Sequence, residues 1–269
     1  MKQFALFITG LMVLACTFAV PRAGTVMVVE SWSYDQHSES GTRTWYFESD
    51  RARVDFKGKE SDVTVIYRLD NDKPVMWVID NQNTQYTELD AKAVKKAYGQ
   101  MQQQMEMMDT YMQKMSAEER ENIKTQYAKQ IRQANKLMTF EERGKKMSYE
   151  KVEGGVDFNG WTCDHYNAMF KKDRYSEVWV ADWKTLGIEQ TDVAVLNQMG
   201  EQFKGFAGDM IPLVDRKGKD GNVNGFPVKA LLYEDGNKYM KREVKEVRKE
   251  DLDAALFEIP EGVDKIETE

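Results

Sequence analysis

The chain has 269 residues, with 38 Lys and Arg against 45 Asp and Glu, so its formal net charge at pH 7 is −7. This acidic balance argues against nucleic-acid binding, because neutralising phosphates requires a basic surface. The length allows one large β domain or two small ones, and it suffices for a sizeable hydrophobic core.

The N-terminus has the pattern of a secretory signal peptide. Lys2 precedes an apolar run over Phe4–Val20, and small residues follow around Ala23. Cleavage after Ala23 removes Lys2 and Arg22, which leaves 36 basic and 45 acidic residues and a charge of −9. No other stretch approaches the ~20 apolar residues of a spanning helix. We therefore expect residues 1–23 to be a signal peptide and the mature protein to be periplasmic, with no transmembrane span.

The signal peptide could instead be processed by lipidation of Cys16, because Val13–Cys16 resembles a lipobox. Leu14 is unusual two residues before a lipidated cysteine, and Thr17–Val20 continues the apolar run where a lipoprotein normally has a polar tether. We therefore favour cleavage after Ala23 and release of the mature protein. Cys163 is then the only thiol, so an intrachain disulfide is excluded, which fits a bacterial periplasm better than a eukaryotic secreted module.

The first third of the mature chain alternates apolar and polar residues, which predicts strands separated by turns. The predicted strands are 25–34, 42–49, 52–58, 62–69, 74–80 and 84–89. Links this short predict an antiparallel meander. Strand patterns resume at 145–153, 161–170, 175–182, 226–234 and 239–249.

A change to helical spacing predicts a helical hairpin over 91–137. Its first helix carries one apolar stripe with members alternately three and four residues apart. The stripe is Val94, Tyr98, Met101, Met105, Met108, Met112 and Met115. Ser116 and Glu119 form a capping box that starts the second helix.

A third helix is predicted within residues 191–207, with Val195, Met199, Phe203 and Phe206 on one face. A long antiparallel sheet with helical insertions is of the α+β class. Roughly ten strands curl rather than stay flat, so we expect a half-open barrel whose concave face is covered by the helices. Because no Pro-, Gly- or Ser-rich linker divides the chain, we predict a single domain over residues 24–269.

Catalytic signatures are weak in this sequence, and we expect neither an enzyme nor a bound cofactor. The two histidines are His37, in a polar loop, and His165. Cys163 and His165 share a strand face, so they suit a nucleophile–base pair or two metal ligands. We favour Cys163 as a small buried hydrophobe, because no third ligand with metal-site spacing is present in the pattern.

Three interpretations of the methionine stripe remain open. It packs as an ordinary helix face, it forms a deformable lid over an apolar ligand, or its thioethers bind Cu(I) through Met105, Met107 and Met108. Val94 and Tyr98 continue the stripe without a thioether, so apolarity rather than sulfur defines it. Copper is therefore the weakest of the three.

Several short motifs resemble a bacterial exported family known as a domain of unknown function. The family has a G-x-x-C-x-x-Y strand, matched by Gly160, Cys163 and Tyr166. The other matches are a V-W/C-V-A-D strand at Val178–Asp182, a G-[FY]-P-V strand at Gly225–Val228 and a closing L-F-x-[IV]-P-x-G at Leu256–Gly262. Some family members carry a second cysteine where this chain has Trp179, so the resemblance implies no disulfide role for Cys163.

The family is similar in expected architecture to the LolA and LolB lipoprotein carriers, whose half-open barrel receives acyl chains beneath helices. The resemblance implies non-catalytic binding of an apolar or acylated ligand in the envelope. The lid would be the stripe Val94–Met115 together with Val195, Met199 and Phe203. The alternatives are the Cu(I) site and a structural protein that docks an envelope partner.

Overall fold

A computed structural model of the protein describes residues 23–35, 39–70, 73–126, 146–170, 172–202, 213–219 and 221–266. The predicted signal peptide lies outside these residues apart from Ala23. His37, Phe203, Phe206 and the end of the predicted helical hairpin, 127–137, lie outside them as well. Within the described part, no helix is long and apolar enough to cross a membrane.

The described residues form thirteen strands, three α-helices and one 3-10 helix. The strands are β1 (Ala23–Ser33), β2 (Gly41–Phe47), β3 (Arg51–Gly58), β4 (Asp62–Asp70), β5 (Lys73–Asp80), β6 (Gln85–Leu89), β7 (Met147–Phe158), β8 (Trp161–Phe170), β9 (Asp173–Ala181), β10 (Leu213–Lys217), β11 (Asn222–Glu234), β12 (Asn237–Asp251) and β13 (Asp264–Lys265). The helices are α1 (Ala91–Gln113), α2 (Ala117–Gln126), α3 (Gln190–Gln202) and the 3-10 helix Ala254–Phe257.

One sheet contains all of these strands. Its order is β13-β6-β5-β4-β3-β2-β1-β12-β11-β9-β8-β7, with β10 paired to β11 off this path. Every neighbouring pair is antiparallel except β13 with β6. The first half of the order is the predicted meander. It joins the second half where β1 pairs with β12, and there Ala23 faces Asp251 at one end and Ser33 faces Met240 at the other.

The alternation of the first six strands sorts their side chains onto two faces. One cross-strand row is Met27, Trp45, Val54, Val65 and Val78. The face that carries this row is called the helix face, because α3 lies against it. The apolar side of α3 and these strands belong to the largest core cluster.

The opposite face of the meander has its own, smaller core. The chain segment after β12 covers it, with Leu252 and Phe257 buried against Val26, Ile66 and Ile79. Charged residues secure this segment. The Arg53 guanidinium donates to the carbonyl oxygen of Leu256 (2.9 Å), and Arg51 stacks on the Phe257 ring, 4.6 Å from its centroid.

These findings correct the predicted α+β class. Among the described residues the protein is mostly β, a single antiparallel sheet with few helices attached, and the sheet does not close into a barrel. The period change at Ala91 and the capping box are confirmed. Asp90 caps α1 by accepting from the amide of Ala93 (2.6 Å). Ser116 donates its amide to Glu119 (2.9 Å) and accepts the amide of Glu119 (3.3 Å).

Two of the family motifs have a structural cause. Asn159 and Gly160 both have positive φ, at 53° and 83°, as the tight hairpin between β7 and β8 requires. Gly225 has φ 140° and passes the backbone of β9 so closely that an added Cβ would lie 2.4 Å from the carbonyl oxygen of Ala181. Pro227, which has no N–H to donate, lies beside an irregularity in the β11–β9 register.

We predict that Gly225→Ala lowers the free energy of unfolding by about 3 kcal/mol or more, since it adds a steric clash to the cost of a positive φ. Gly155→Ala is the control, because Gly155 also has positive φ (72°) but an added Cβ meets nothing within 4 Å. Gly155→Ala should therefore lower the free energy of unfolding by only about 1 kcal/mol. Urea unfolding of both variants measures the difference, and equal losses would show that the approach to Ala181 is unimportant.

Candidate functional site

The best candidate site is the layer between α3 and the helix face of the sheet. α3 lies against β2 and β3. Its apolar residues Val193, Val195, Leu196 and Met199 are all buried in the main core. This burial follows from their helical spacing, which leaves Ala194 on the exposed side. The layer therefore holds a wide apolar surface on both sides.

An ion pair holds the start of α3 over the sheet. Asp192, in the first turn of the helix, pairs with Lys249 of β12. The ammonium of Lys249 also donates to the hydroxyl of Thr25 (3.0 Å), which itself lies 3.4 Å from the Asp192 carboxylate. A carboxylate in the first turn also interacts favourably with the helix dipole. The three side chains thus connect α3 to the β1–β12 pair.

Two buried polar atoms, one on the sheet and one on α3, lack hydrogen-bond partners among the described residues. Trp45, on β2, is 5% exposed, and its indole Nε1 is unpaired. Gln198, on α3, also has a buried Oε1 without a described partner, but it follows the exposed Ala194 by four residues and so lies toward the outer side of the helix. One of these groups is a donor and the other an acceptor. Tyr67 lies buried on the same face of the sheet, where desolvation raises the pKa of its hydroxyl.

The predicted lid residues that the structure describes, which exclude Phe203, fall into three groups. Val195 and Met199 are 0% and 2% exposed and pack against the sheet. Met108, Met112 and Met115, at and just beyond the end of α1, are half-buried. The remaining predicted lid residues of α1 are placed by their backbone alone: Val94, Tyr98, Met101 and Met105. The structure thus brings the α3 part of the predicted lid onto the sheet, and the role of the α1 stripe stays a prediction.

α1 also exposes large apolar side chains beside its stripe. Met107 and Tyr111 are 58% and 62% exposed. They line an open groove of about 430 Å³ together with Gln103, Glu106, Thr110 and Lys114. Met107 and Met108 are successive residues and so project about 100° apart around the helix. Copper binding at Met105, Met107 and Met108 remains a prediction.

Cys163 and His165 make separate contacts on β8. Cys163 is buried and donates to the carbonyl oxygen of Trp161 (3.3 Å). Burial, with smaller contributions from Asp157 and Asp164, raises the pKa of its thiol to about 11. His165 stacks on Trp179, with ring centroids 4.1 Å apart. A thiol with so high a pKa is a poor nucleophile at neutral pH, which favours the core role for Cys163.

Metal ligation has little support in the described residues, where no three His, Cys, Asp or Glu side chains are grouped to hold an ion. Sequence reasoning missed Trp45, Gln198 and the Asp192–Lys249 pair. The strand pattern could place Trp45 on the buried face, but a missing hydrogen-bond partner is a property of the folded chain alone. Lys249 and Asp192 are 57 residues apart, so local spacing gave no signal for the ion pair.

Comparisons with known proteins give a family and distant structural likenesses. No curated protein matches the sequence. The chain is similar to a crystal structure of an uncharacterized conserved protein from Thermus thermophilus, at 9% identity over 92% of this chain and 91% of that one, with a TM-score of 0.43. It is also similar to MucB, at 8% identity over 85% and 54% with a TM-score of 0.35, and to PNGF-II, at 10% over 92% and 31% with a TM-score of 0.37.

The chain therefore spans about half of the MucB structure and about a third of that of PNGF-II. A sequence profile of one family matches residues 98–263, which include most of α1, all of α2 and α3, β7–β12 and the 3-10 helix. Because this match covers more than half of the chain, the protein belongs to the family described as a domain of unknown function, DUF4412.

Proposed function

We propose that the protein is a non-catalytic carrier of an apolar or acylated ligand in the bacterial envelope. In this proposal the sheet is curled as in the LolA and LolB carriers, and α3 covers the ligand site. The observation that carries the proposal is the apolar layer beneath α3, where one helix covers a broad apolar face of the sheet. The signal-peptide pattern of residues 1–23 supports an envelope location.

The side chains of this layer are suited to repacking around a ligand. Met27, Met76 and Met199 are each almost completely buried there. Methionine is unbranched and flexible, so it fits apolar ligands of varied shape. An acyl chain that inserts between α3 and the sheet therefore needs no rigid, preformed cavity.

The energetics of an acyl chain are favourable for this site. Burying one CH₂ group contributes about 0.8 kcal/mol, so a chain of sixteen carbons contributes on the order of 12 kcal/mol. Displacing α3 and immobilising the ligand offset a large part of this gain. What remains is enough for useful affinity with few polar contacts.

We predict that the purified protein binds a fluorescent fatty-acid probe with micromolar or tighter affinity, measured by fluorescence titration. The Met107→Ser/Tyr111→Ser variant should bind equally well, because its changes remove only the exposed apolar groove of α1. Loss of binding in that variant would move the site to the groove. A wild-type protein that arrives empty in native mass spectrometry and binds no probe would refute the carrier function.

A second prediction concerns access to the site. Asp192→Asn weakens the contact with Lys249, so it should lower the free energy of unfolding by about 1 kcal/mol and speed association of the fatty-acid probe. Asp164→Asn is the matched control, because Asp164 pairs with Lys151 (2.7 Å) at an exposed position. Stopped-flow fluorescence measures both rates. An unchanged association rate in Asp192→Asn would show that α3 does not cover the site.

A further inference from the structure

The carboxylate of Glu48 is buried with only one of its oxygens hydrogen-bonded. The residue follows the end of β2 and is 3% exposed. Its Oε2 accepts from the Arg51 guanidinium at 2.7 Å, and its Oε1 is buried without a hydrogen-bond partner among the described residues. A buried carboxylate is costly unless its charge is paired and its oxygens are hydrogen-bonded. A second donor at Oε1, above all a cationic one, would therefore stabilise the folded protein.

Gly24, at the start of β1, lies directly beside Glu48. Thr25 faces Phe47 in the β1–β2 register, so the next position along the pair places Gly24 opposite Glu48. A Cβ built on Gly24 would lie 3.1 Å from the Cγ of Glu48 and would clash with the side chain of Leu252. These two side chains thus pack over the Cα of Gly24, and a glycine leaves room for both.

The predicted cleavage after Ala23 would change the chemistry of this position. The amide nitrogen of Gly24 would become an α-ammonium group. Gly24 is buried, whereas Ala23 is exposed, so the new positive charge would lie inside the end of the sheet rather than in solvent. A buried charge without a partner is costly. An ammonium has three N–H donors, of which the pairing of β1 with β12 can use one.

We propose that the α-ammonium group of Gly24 binds the Glu48 carboxylate in the mature protein, so that removal of the signal peptide completes this buried end of the sheet. The inference rests on the predicted cleavage after Ala23 and goes beyond the proposed carrier function. The ammonium donates to Glu48 Oε1, while Arg51 keeps Oε2. In the precursor the nitrogen of Gly24 belongs to a peptide bond and carries no charge. The mature fold is therefore more stable than that of the precursor.

Two acidic residues of β12 lie at the same end of the sheet and are less well placed to bind the ammonium. Glu250 pairs with Arg248 at 2.9 Å. Asp251 faces Ala23 and is exposed, so solvent weakens any ion pair that it forms. Glu48 is buried, and a buried charge gains most from a partner because leaving it unpaired is strongly destabilising.

The test compares a purified chain that begins at Gly24 with one that begins at Ala23, both released from a cleavable fusion partner without extra residues. The second chain moves the ammonium by one residue, to an exposed position. Urea unfolding should give an equilibrium constant of unfolding about 10-fold smaller for the Gly24 chain, as expected of one hydrogen bond to a charged group. Equal constants would overturn the inference.

Glu48→Gln is then measured in both chains, because it removes the charge of the acceptor and keeps its shape. It also weakens the contact with Arg51, but this loss is common to both chains and cancels in the comparison. The advantage of the Gly24 chain should fall to about 3-fold, since a hydrogen bond without the second charge is about half as strong. An advantage that stays near its original size contradicts the proposed pair.

Asp251→Asn is the matched control. It removes a carboxylate at the same end of the sheet, but it should leave the difference between the two chains unchanged. If Asp251→Asn removes the advantage of the Gly24 chain and Glu48→Gln does not, the ammonium binds Asp251 and the inference is wrong.

Reactivity of the α-amino group gives a measure that needs no variant at position 48. Cyanate carbamoylates the unprotonated amine, and mass spectrometry follows the reaction at the first residue. The Gly24 chain should react several-fold more slowly than the Ala23 chain, because the Glu48 carboxylate favours the protonated form. Equal rates would show that the ammonium is not bound.

The intact mass of the protein exported with its own residues 1–23 identifies the first residue of the mature chain. A mass that corresponds to Gly24 is expected, and a chain that begins elsewhere overturns the inference. None of these measurements involves a ligand, so they leave the carrier function to its own tests.

Discussion

The pairing of β1 with β12 is the contact on which the rest of the structure depends. It joins the first strand of the meander, along its full length, to residues 240–251 of the last long strand of the chain. Without it the two halves of the sheet have no common edge in the described order. Because β1 and β12 are more than 200 residues apart in sequence, forming this contact has a large entropic cost of loop closure. We expect the two halves to gain much of their structure before they join.

The same pairing also positions the candidate site. Thr25 and Lys249 face each other across β1 and β12, and together they hold Asp192 at the start of α3. The helix is therefore anchored by charge at one end, while its middle is held by apolar packing. The ion pair is only half-buried, so it contributes modestly to stability. Its main effect is to fix where the helix begins on the sheet.

Local patterns in the sequence predict local structure well. The period-two alternation placed all six strands of the meander, and the stripe with the Ser116–Glu119 box placed the end of α1 and the start of α2. The short strands β10 and β13 were missed, because five and two residues carry too little periodicity. The predicted α+β class was too helical. It treated the helical insertions as a major part of the fold, whereas the thirteen-stranded sheet makes the described protein mostly β.

The candidate site was predictable only in its apolar part. Helical spacing identified Val195 and Met199, which the structure buries against the sheet. The ion pair of Asp192 with Lys249 was not predictable, because it depends on the register of two distant segments. The same is true of Trp45 and Gln198, since the feature that distinguishes them is the absence of a described partner, and a pattern of residue types contains no such information.

Stability and binding make opposite demands on the layer beneath α3. A core selected for stability alone would pair the indole of Trp45 or replace it with an apolar residue, as hydrogen-bond energetics favour. The opposite face of the meander meets this demand at Trp77, whose Nε1 donates to the Glu88 carboxylate at 3.2 Å. On the helix face the cost is retained at Trp45, whose indole has no partner among the described residues. A buried donor left unpaired on this face agrees with the proposed carrier function, in which a ligand supplies part of the core.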